Sequence, residues 1–245
     1  MARTVGRRES DEGDAAREAP ILVVAGLARE AACVAGDGVV ALCGGADLDR
    51  LRAGLAALEG RRFCAIVSFG LAGGLDPALR PGEVAVAAAV VAGEARRETN
   101  PRLTEILVEG FESAGARCAR VTLAGVDAPV MTAAEKAALR DATGAAAVDM
   151  ESHVAGEFAA ARRLPFAVVR AIGDPATRAL PPLAANAISS DGGVDLARVL
   201  RDLARDPGQL PDLIRAGLDS RAAFSSLRRC GPLLGPLARL VLAGL

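Results

Sequence analysis

The chain of 245 residues is 51% hydrophobic, so it can bury a sizeable core, and we expect one domain. Its 29 basic and 30 acidic residues give a formal net charge of -1 and form no long basic block, which argues against a nucleic-acid partner. The five cysteines show no Cys-x-x-Cys spacing, so we predict neither a zinc site nor a disulfide framework, and a reducing compartment is favoured.

Residues 1–19 mix arginine with aspartate and glutamate and contain no apolar run, which predicts a disordered N-terminal tail and not a signal peptide. No segment supplies the roughly 20 uninterrupted apolar residues of a membrane-spanning helix. We therefore predict a cytoplasmic protein whose contact with the inner membrane is at most peripheral.

Short strand-like runs alternate with longer helical patterns along residues 20–193. The strand-like runs are Ile21–Ala25, Val39–Cys43, Cys64–Phe69, Val84–Val91, Arg120–Leu123, Ala145–Val148 and Phe166–Ile172. The helical patterns are Leu48–Leu58, Pro101–Ala114, Ala133–Ala142 and Ser152–Arg163. This alternation predicts an α/β domain in which helices cover both faces of a largely buried sheet.

Beyond residue 194 the pattern contains helices alone, at Asp195–Ala204, Pro211–Phe224 and Leu227–Leu242. We predict that residues 194–245 form a helical extension packed on the same domain. The linker Thr177–Gly193 holds prolines and glycines and is predicted to be a loop over the carboxyl ends of the strands, where ligands of such sheets gather.

Two acidic segments stand at the ends of strand-like runs, Val148-Asp-Met-Glu151 and Val169-Arg-Ala-Ile-Gly-Asp174. Carboxylates that meet in one cleft are what glycosidic bond cleavage requires, because one acid protonates the leaving group while others hold the sugar and activate water. The chain has a single histidine, His153, and a single lysine, Lys136, so we assign this work to carboxylates alone.

A glycine-rich segment, Gly70-Leu-Ala-Gly73-Gly74, follows the strand-like run Cys64–Phe69. It is predicted to be a turn whose backbone N–H groups approach a ligand closely, and a plain structural turn stays open as the alternative. The Gly-x-Gly-x-x-Gly fingerprint of nicotinamide cofactors and the Gly-Lys-Ser/Thr of nucleotide-triphosphate loops are absent.

Three motifs in order resemble those of the nucleoside phosphorylase and methylthioadenosine/S-adenosylhomocysteine nucleosidase superfamily. They are Ser68–Glu83 (SFGLAGGLDPALRPGE), Val148–Glu151 (VDME) and Val169–Asp174 (VRAIGD). The resemblance implies a three-layer αβα sandwich around a mixed, mostly parallel central sheet.

Further segments are more similar to the hopanoid-associated phosphorylase branch of that superfamily, which is implicated in removing adenine from adenosylhopane. These segments are Gly26–Ala31 (GLAREA), Cys43–Gly45 (CGG), Gly125–Pro129 (GVDAP) and the helical C-terminal part. The resemblance therefore implies an adenosylated lipid or small molecule as substrate.

The resemblance also implies roles for the acidic motifs. Asp174 matches the general acid that lets adenine leave as a neutral base, which near neutrality requires burial to raise the pKa of its carboxyl. Glu151 matches the carboxylate that holds the ribose hydroxyls, and Met150 the apolar residue beneath the sugar. Asp149 is a further candidate for substrate binding, as is Gly73 of the glycine-rich segment.

The attacking group is either water or phosphate. Glu30 matches the nucleosidase glutamate that orients water, whereas phosphorylases of this superfamily place an arginine here to bind phosphate, so Arg29 competes. The chain has Ser68 and Leu71 where phosphorylases usually carry an arginine and a serine, which favours water. No metal or organic cofactor is implied, and phosphate is a co-substrate only in the alternative reaction.

Purine contact is harder to assign because the aromatic residue that nucleosidases tend to carry near Ala128–Val130 is missing. With neither Tyr nor Trp in the chain, the candidates are Phe69, Phe158, Phe166, Val130 and Met150, and core packing is the alternative for each. This departure keeps open a nucleoside- or lipid-binding protein without turnover, and a methylthioadenosine nucleosidase as the nearest enzymatic alternative.

The remaining predictions concern His153, Arg170, the C-terminal segment and oligomer formation. His153 is predicted to be structural, and Arg170 to pair with a buried carboxylate. The segment Leu227–Leu245 joins a basic cluster to an apolar end, and either packs on the protein or lies on a membrane surface that delivers a lipid. Relatives in the superfamily commonly assemble, so we expect a homo-oligomer.

Overall fold

The computed structural model describes residues 19–180 without Ala35, and residues 201–243 without Asp202 and Ala204. In this part the strands are β1 (Ile21–Ala25), β2 (Val39–Cys43), β3 (Ile66–Gly74), β4 (Val84–Ala92), β5 (Ala95–Glu98), β6 (Cys118–Gly125), β7 (Ala147–Asp149) and β8 (Phe166–Asp174). The helices are α1 (Ala28–Ala31), α2 (Leu48–Ala56), α3 (Pro101–Ser113), α4 (Ala133–Thr143), α5 (Ser152–Ala161), α6 (Leu210–Cys230) and α7 (Leu234–Ala243), with 3₁₀ turns at Pro207–Gln209 and Gly231–Leu233.

The strands form a mixed sheet in which parallel pairs predominate. β1 runs parallel to β2 and β3, β3 to β8, and β6 to β4 and β7. Antiparallel pairs join β3 to β7, β4 to β5 and β4 to β8. Because β8 pairs with both β3 and β4, the path β3-β7-β6-β4-β8 closes on itself. Gly73 of β3 thereby lies opposite both Val148 of β7 and Asp174 of β8.

Apolar side chains cover both faces of the sheet. Along β1, Ile21 and Val23 belong to one buried cluster and Leu22 and Val24 to another. The first cluster contains residues of α3, α6 and α7, and the second contains residues of α2 and α5. Helices therefore flank a buried sheet on both sides, and the predicted three-layer αβα architecture with a mixed, mostly parallel sheet is confirmed.

The predicted turn at Gly70–Gly74 is wrong, because β3 continues to Gly74 and pairs with β8 along this length. A Cβ at Gly70 would lie 2.6 Å from both Glu30 Oε2 and Arg170 Nη1. The glycine is needed because two side chains pack against the strand there, and not because the chain turns.

Two elements lie where no strand or helix was predicted. β5 has the sequence ARRE and is mostly exposed at the edge of the sheet, so it lacks the apolar alternation that identifies a strand. α1 is a single turn of four residues, too short to show helical periodicity.

The C-terminal helices pack on the α/β layers. α6 ends at Cys230, and the following 3₁₀ turn separates it from α7, whose Leu234 and Ala238 are fully buried. These contacts agree with the packing alternative for this segment. The predicted helix Asp195–Ala204 and most of the predicted loop Thr177–Gly193 lie outside the described residues.

Among the residues described, none of the helices is long and apolar enough to span a bilayer. Membrane contact through the C-terminal helix, homo-oligomer formation and cytoplasmic location stay predictions.

Candidate active site

A cavity of about 430 Å³ opens where β1, β3, β7 and β8 end, a size typical of pockets for small organic ligands. Helix α6 supplies part of its wall, including Ala216, Asp219 and Phe224. Nearly all the residues predicted to act on a substrate line it: Arg29, Glu30, Gly73, Val130, Asp149, Met150, Glu151 and Asp174.

Phe69 is the exception among the predicted site residues. Its side chain is fully buried in the core and does not line the cavity, because side chains alternate along β3, where its neighbour Gly70 faces Glu30 and Arg170. Phe158 and Phe166 also pack into the core and not into the cavity. The assignment of Phe69 to purine contact is therefore corrected.

The aromatic side chain that does line the cavity is Phe224 of α6. The Arg29 guanidinium lies over its ring, 4.4 Å from the centroid, which is a cation–π geometry. Phe224 was missed because the motifs that predicted the site all lie before residue 175, whereas α6 returns to the cavity from the C-terminal part.

Glu30 lies in α1 and is 2% exposed, directly after the turn that follows β1. Its Oε2 accepts hydrogen bonds from the Gly26 and Leu27 N–H groups (2.9 and 2.8 Å), and its Oε1 accepts one from the Leu71 N–H (2.8 Å). Burial raises the pKa of Glu30 above its usual value, while Arg170 and these N–H groups oppose the rise.

Arg170 of β8 is fully buried, and its charge interacts with the carboxyl groups of Asp149, Glu151 and Glu30. Its Nη2 pairs with Asp149 Oδ2 and donates to Ser68 Oγ (2.6 Å), while its Nη1 lies 3.3 Å from Glu151 Oε2. The predicted pairing of Arg170 with a buried carboxylate is confirmed, although no place in the site was predicted for Arg170. Asp149 lines the cavity and is held by this pair, so it positions Arg170.

Glu151 stands between β7 and α5, and its side chain is 12% exposed to the cavity. A Cβ at Gly26 would lie 2.5 Å from Glu151 Oε1, so a larger residue at position 26 would displace this carboxyl. Burial raises the pKa of Glu151 to about 8, with Asp149 and Glu30 adding to the rise and Arg170 opposing it. A pKa of about 8 favours the protonated form of Glu151 near neutrality.

The raised pKa of Glu151 predicts a pH dependence of stability. A carboxyl whose pKa is higher folded than unfolded stabilises the fold at acid pH, and that contribution is lost as the pH rises from about 4 through about 8. Glu151→Gln should therefore flatten the fall in the free energy of unfolding between about pH 5 and 8. Urea denaturation at several pH values tests this, with Glu157→Gln on the exposed side of α5 as control; parallel curves for wild type and Glu151→Gln would contradict it.

Asp174 ends β8, and its side chain is 22% exposed. Its Oδ2 pairs with the Nζ of Lys136, which is itself fully buried in α4. Burial raises the pKa of Asp174 above its usual value, and the Lys136 ammonium opposes that rise. No role was predicted for Lys136, whose one signal in the sequence is that it is the sole lysine of the chain.

His153 does not line the cavity. Its Nε2 lies 3.0 Å from Asp127 Oδ1, and its ring packs against Gly125, so it joins α5 to the segment after β6. No group of three or more His, Cys, Asp or Glu side chains in the described residues is arranged to hold a metal ion.

Solved structures similar to this one include nucleosidases. Futalosine hydrolase of Helicobacter pylori strain 26695 superimposes with a TM-score of 0.61 and 15% identity over 77% of this chain and 98% of that chain. The methylthioadenosine/S-adenosylhomocysteine nucleosidase of Colwellia psychrerythraea 34H, in complex with adenine, gives 0.61 and 17% over 75% and 93%. A putative methylthioadenosine nucleosidase from Weissella paramesenteroides ATCC 33313 gives 0.59 and 21% over 74% and 96%.

These superpositions show a shared fold. No curated protein sequence matches the chain. The sequence profile of the Phosphorylase superfamily, however, matches residues 13–203, which is most of the chain and includes β1 to β8. The chain belongs to the Phosphorylase superfamily.

Proposed function

We propose that the protein hydrolyses the N-glycosidic bond of an adenosyl compound, with adenosylhopane as the leading substrate, and so releases adenine and a ribosyl-hopane in hopanoid lipid biosynthesis. The observation that carries the proposal is that two clusters of charged side chains lie around one cavity. One is the cluster of Glu30, Glu151 and Arg170, and the other is Asp174 with Lys136.

In the proposed reaction Asp174 donates its proton to a ring nitrogen of the purine. The bond between the sugar C1′ and the purine N9 then breaks, and its electron pair leaves on a neutral adenine. The partial burial that raises the pKa of Asp174 supports this role, because an ordinary aspartate is fully ionised near neutrality.

Glu151 holds the ribose in this scheme. With a pKa of about 8, it can donate a hydrogen bond to one sugar hydroxyl and accept one from another. The cluster of three carboxylates and one guanidinium keeps a net negative charge even with one proton bound. That charge stabilises the positive charge that develops on the sugar as the glycosidic bond breaks.

Glu30 is the proposed base that orients the attacking water. Its carboxylate has about four lone-pair positions, and the three backbone N–H groups occupy three of them. One position is left to accept a proton from water as the water oxygen bonds to C1′.

The same contacts favour water over phosphate as the nucleophile. The N–H groups of Gly26, Leu27 and Leu71 would be natural donors to an anion, but the Glu30 carboxylate already takes all three. A buried carboxylate at that point also repels phosphate. Arg29, the alternative phosphate ligand, has its guanidinium over the Phe224 ring, and this contact occupies one face of the guanidinium.

Adenine as the leaving base is supported by the Colwellia relative, whose structure contains adenine. The hopane part is proposed from the resemblance of the sequence to the hopanoid-associated branch. Apolar residues such as Leu27, Leu71 and Phe224 in the cavity wall are compatible with a lipid substituent on the sugar.

Chromatography of released adenine tests the proposal. The purified protein receives adenosylhopane in detergent or methylthioadenosine, each with and without phosphate. We expect adenine from adenosylhopane without phosphate. Release from methylthioadenosine alone would overturn the lipid assignment, strict phosphate dependence would indicate a phosphorylase, and binding without release would indicate a non-catalytic protein.

A further inference from the structure

Lys136 is an unusual residue at its position. Helix α4 is mostly exposed, yet this side chain is 1% exposed and lies on its inner face. The helix begins at a capping box in which Thr132 and Glu135 bond each other's backbone N–H groups, and this fixes the first turn that carries Lys136. A lysine is almost never fully buried unless its charge is paired, so its partners define its role.

The Lys136 ammonium has an acceptor for each of its three protons. Nζ donates to Asp174 Oδ2, to the Pro175 carbonyl (2.9 Å) and to the Arg178 carbonyl (2.9 Å). A neutral amine has only two N–H bonds, so this set of acceptors matches the charged form. Lys136 therefore fixes both the carboxyl of Asp174 and the backbone that follows β8.

The charged groups around Asp174 come from three elements. Lys136 faces it from α4, Arg178 from the segment after β8, and Asp219 from α6, where Asp219 pairs with Arg178. Lys136 is the nearest of the three and the one in direct contact. Asp174 Oδ2 is engaged by Lys136, while the residue itself lines the cavity.

We propose that Lys136 is the positioning residue of the general acid: its ammonium holds one oxygen of Asp174 so that the other meets the leaving base. This inference rests on the proposed function in taking Asp174 as the acid. When the O–H bond of Asp174 breaks and an N–H bond forms on the purine, Lys136 keeps its own proton. Its charge then stabilises the carboxylate left behind.

A purely structural lysine would only tie α4 to the segment Pro175–Arg178, and titration of Asp174 separates the two roles. We compare wild type, Lys136→Met and Lys136→Gln by carbon NMR of labelled aspartate, with Asp174 assigned by its absence in Asp174→Asn. An opposite charge in contact shifts the pKa of a carboxyl by about 1 to 3 units, so the pKa of Asp174 should rise by at least about 1 unit in Lys136→Met.

Lys136→Gln keeps two N–H donors without the charge, so it should show a similar rise, and it replaces Lys136→Met if the methionine variant does not fold. Arg140→Met removes a cation from the same helix away from the cavity lining and should leave the pKa of Asp174 within about 0.3 units. An unchanged pKa in both Lys136 variants would overturn the proposal.

Kinetics supply the second readout. In Lys136→Met the alkaline limb of the pH–rate profile should move to higher pH together with the pKa of Asp174. Its kcat should fall about 10- to 100-fold with little change in KM. If wild type is inactive on every adenosyl compound, the proposed function fails. The NMR titration still decides whether Lys136 controls Asp174, so the two failures are distinguishable.

Discussion

Replacement of Asp174 by asparagine is expected to lower the kcat for adenine release by about 10²- to 10⁴-fold while substrate binding persists. Asparagine has nearly the same shape, and its side-chain oxygen can still accept the hydrogen bond from Lys136. It cannot give up a proton, however, so adenine would have to leave as an anion. Chromatographic rates at saturating substrate measure kcat, and calorimetry on the slow variant measures binding.

The matched control is Asp76→Asn. Asp76 pairs with Arg140 at 2.9 Å and does not line the cavity, so its replacement should change kcat by less than about threefold. Activity of Asp174→Asn within threefold of wild type would show that another group protonates the base, and Asp174 would lose its assigned role.

Replacement of Arg170 by methionine is expected to destabilise the fold by about 3–5 kcal/mol, because it leaves buried carboxylates without their counter-charge. Asp149 pairs with Arg170 directly and Glu151 lies 3.3 Å from it, and both have side chains nearly removed from water. For a domain of this size the loss corresponds to a fall in Tm of about 10 °C, measurable by circular dichroism.

Two comparisons distinguish the stability lost with the charge pairing from the stability lost with packing in general. Asp149→Asn should cost less stability in the Arg170→Met background than in wild type, since the carboxylate it removes is then unpaired. Arg162→Met removes an arginine that bonds the backbone carbonyls of Leu58, Glu59 and Arg61 near the surface, and should cost less than about 2 kcal/mol. A loss below 1 kcal/mol for Arg170→Met would contradict the account of the cluster.

Much of the fold follows from local patterns. Strands such as the buried β1 and the partly exposed β2 are uninterrupted apolar runs, and the structure gives them the predicted bounds. β5 could not be predicted, because a polar edge strand is specified by its pairing with β4 and not by its own composition.

The site residues likewise divide into those that sequence motifs predict and those that they do not. Glu30, Glu151 and Asp174 stand in motifs near strand ends, so their convergence on one cavity follows from the carboxyl-end rule for parallel strands. Lys136 and Phe224 could not be found by that rule, because both come from helices whose inner faces are fixed only by tertiary packing. Their sequence neighbourhoods contain no chemical motif.

The turn predicted at Gly70–Gly74 shows that glycines alone are not enough to predict a turn. A glycine permits both a turn and a close approach to a strand, and the sequence does not separate the two. Here the distant residues Glu30 and Arg170 decide the matter, because their side chains occupy the space beside Gly70.

In the proposed reaction, water activated beside Glu30 replaces the base that Asp174 protonates. The most direct measurement is mass spectrometry of the sugar product formed in heavy-oxygen water and phosphate-free buffer, with immediate borohydride reduction to stop exchange at C1′. Product incubated without enzyme for the same time corrects for background exchange. We predict one heavy oxygen in the sugar for each adenine released. Absence of the label, or product that forms only as a sugar phosphate when phosphate is added, would contradict hydrolysis.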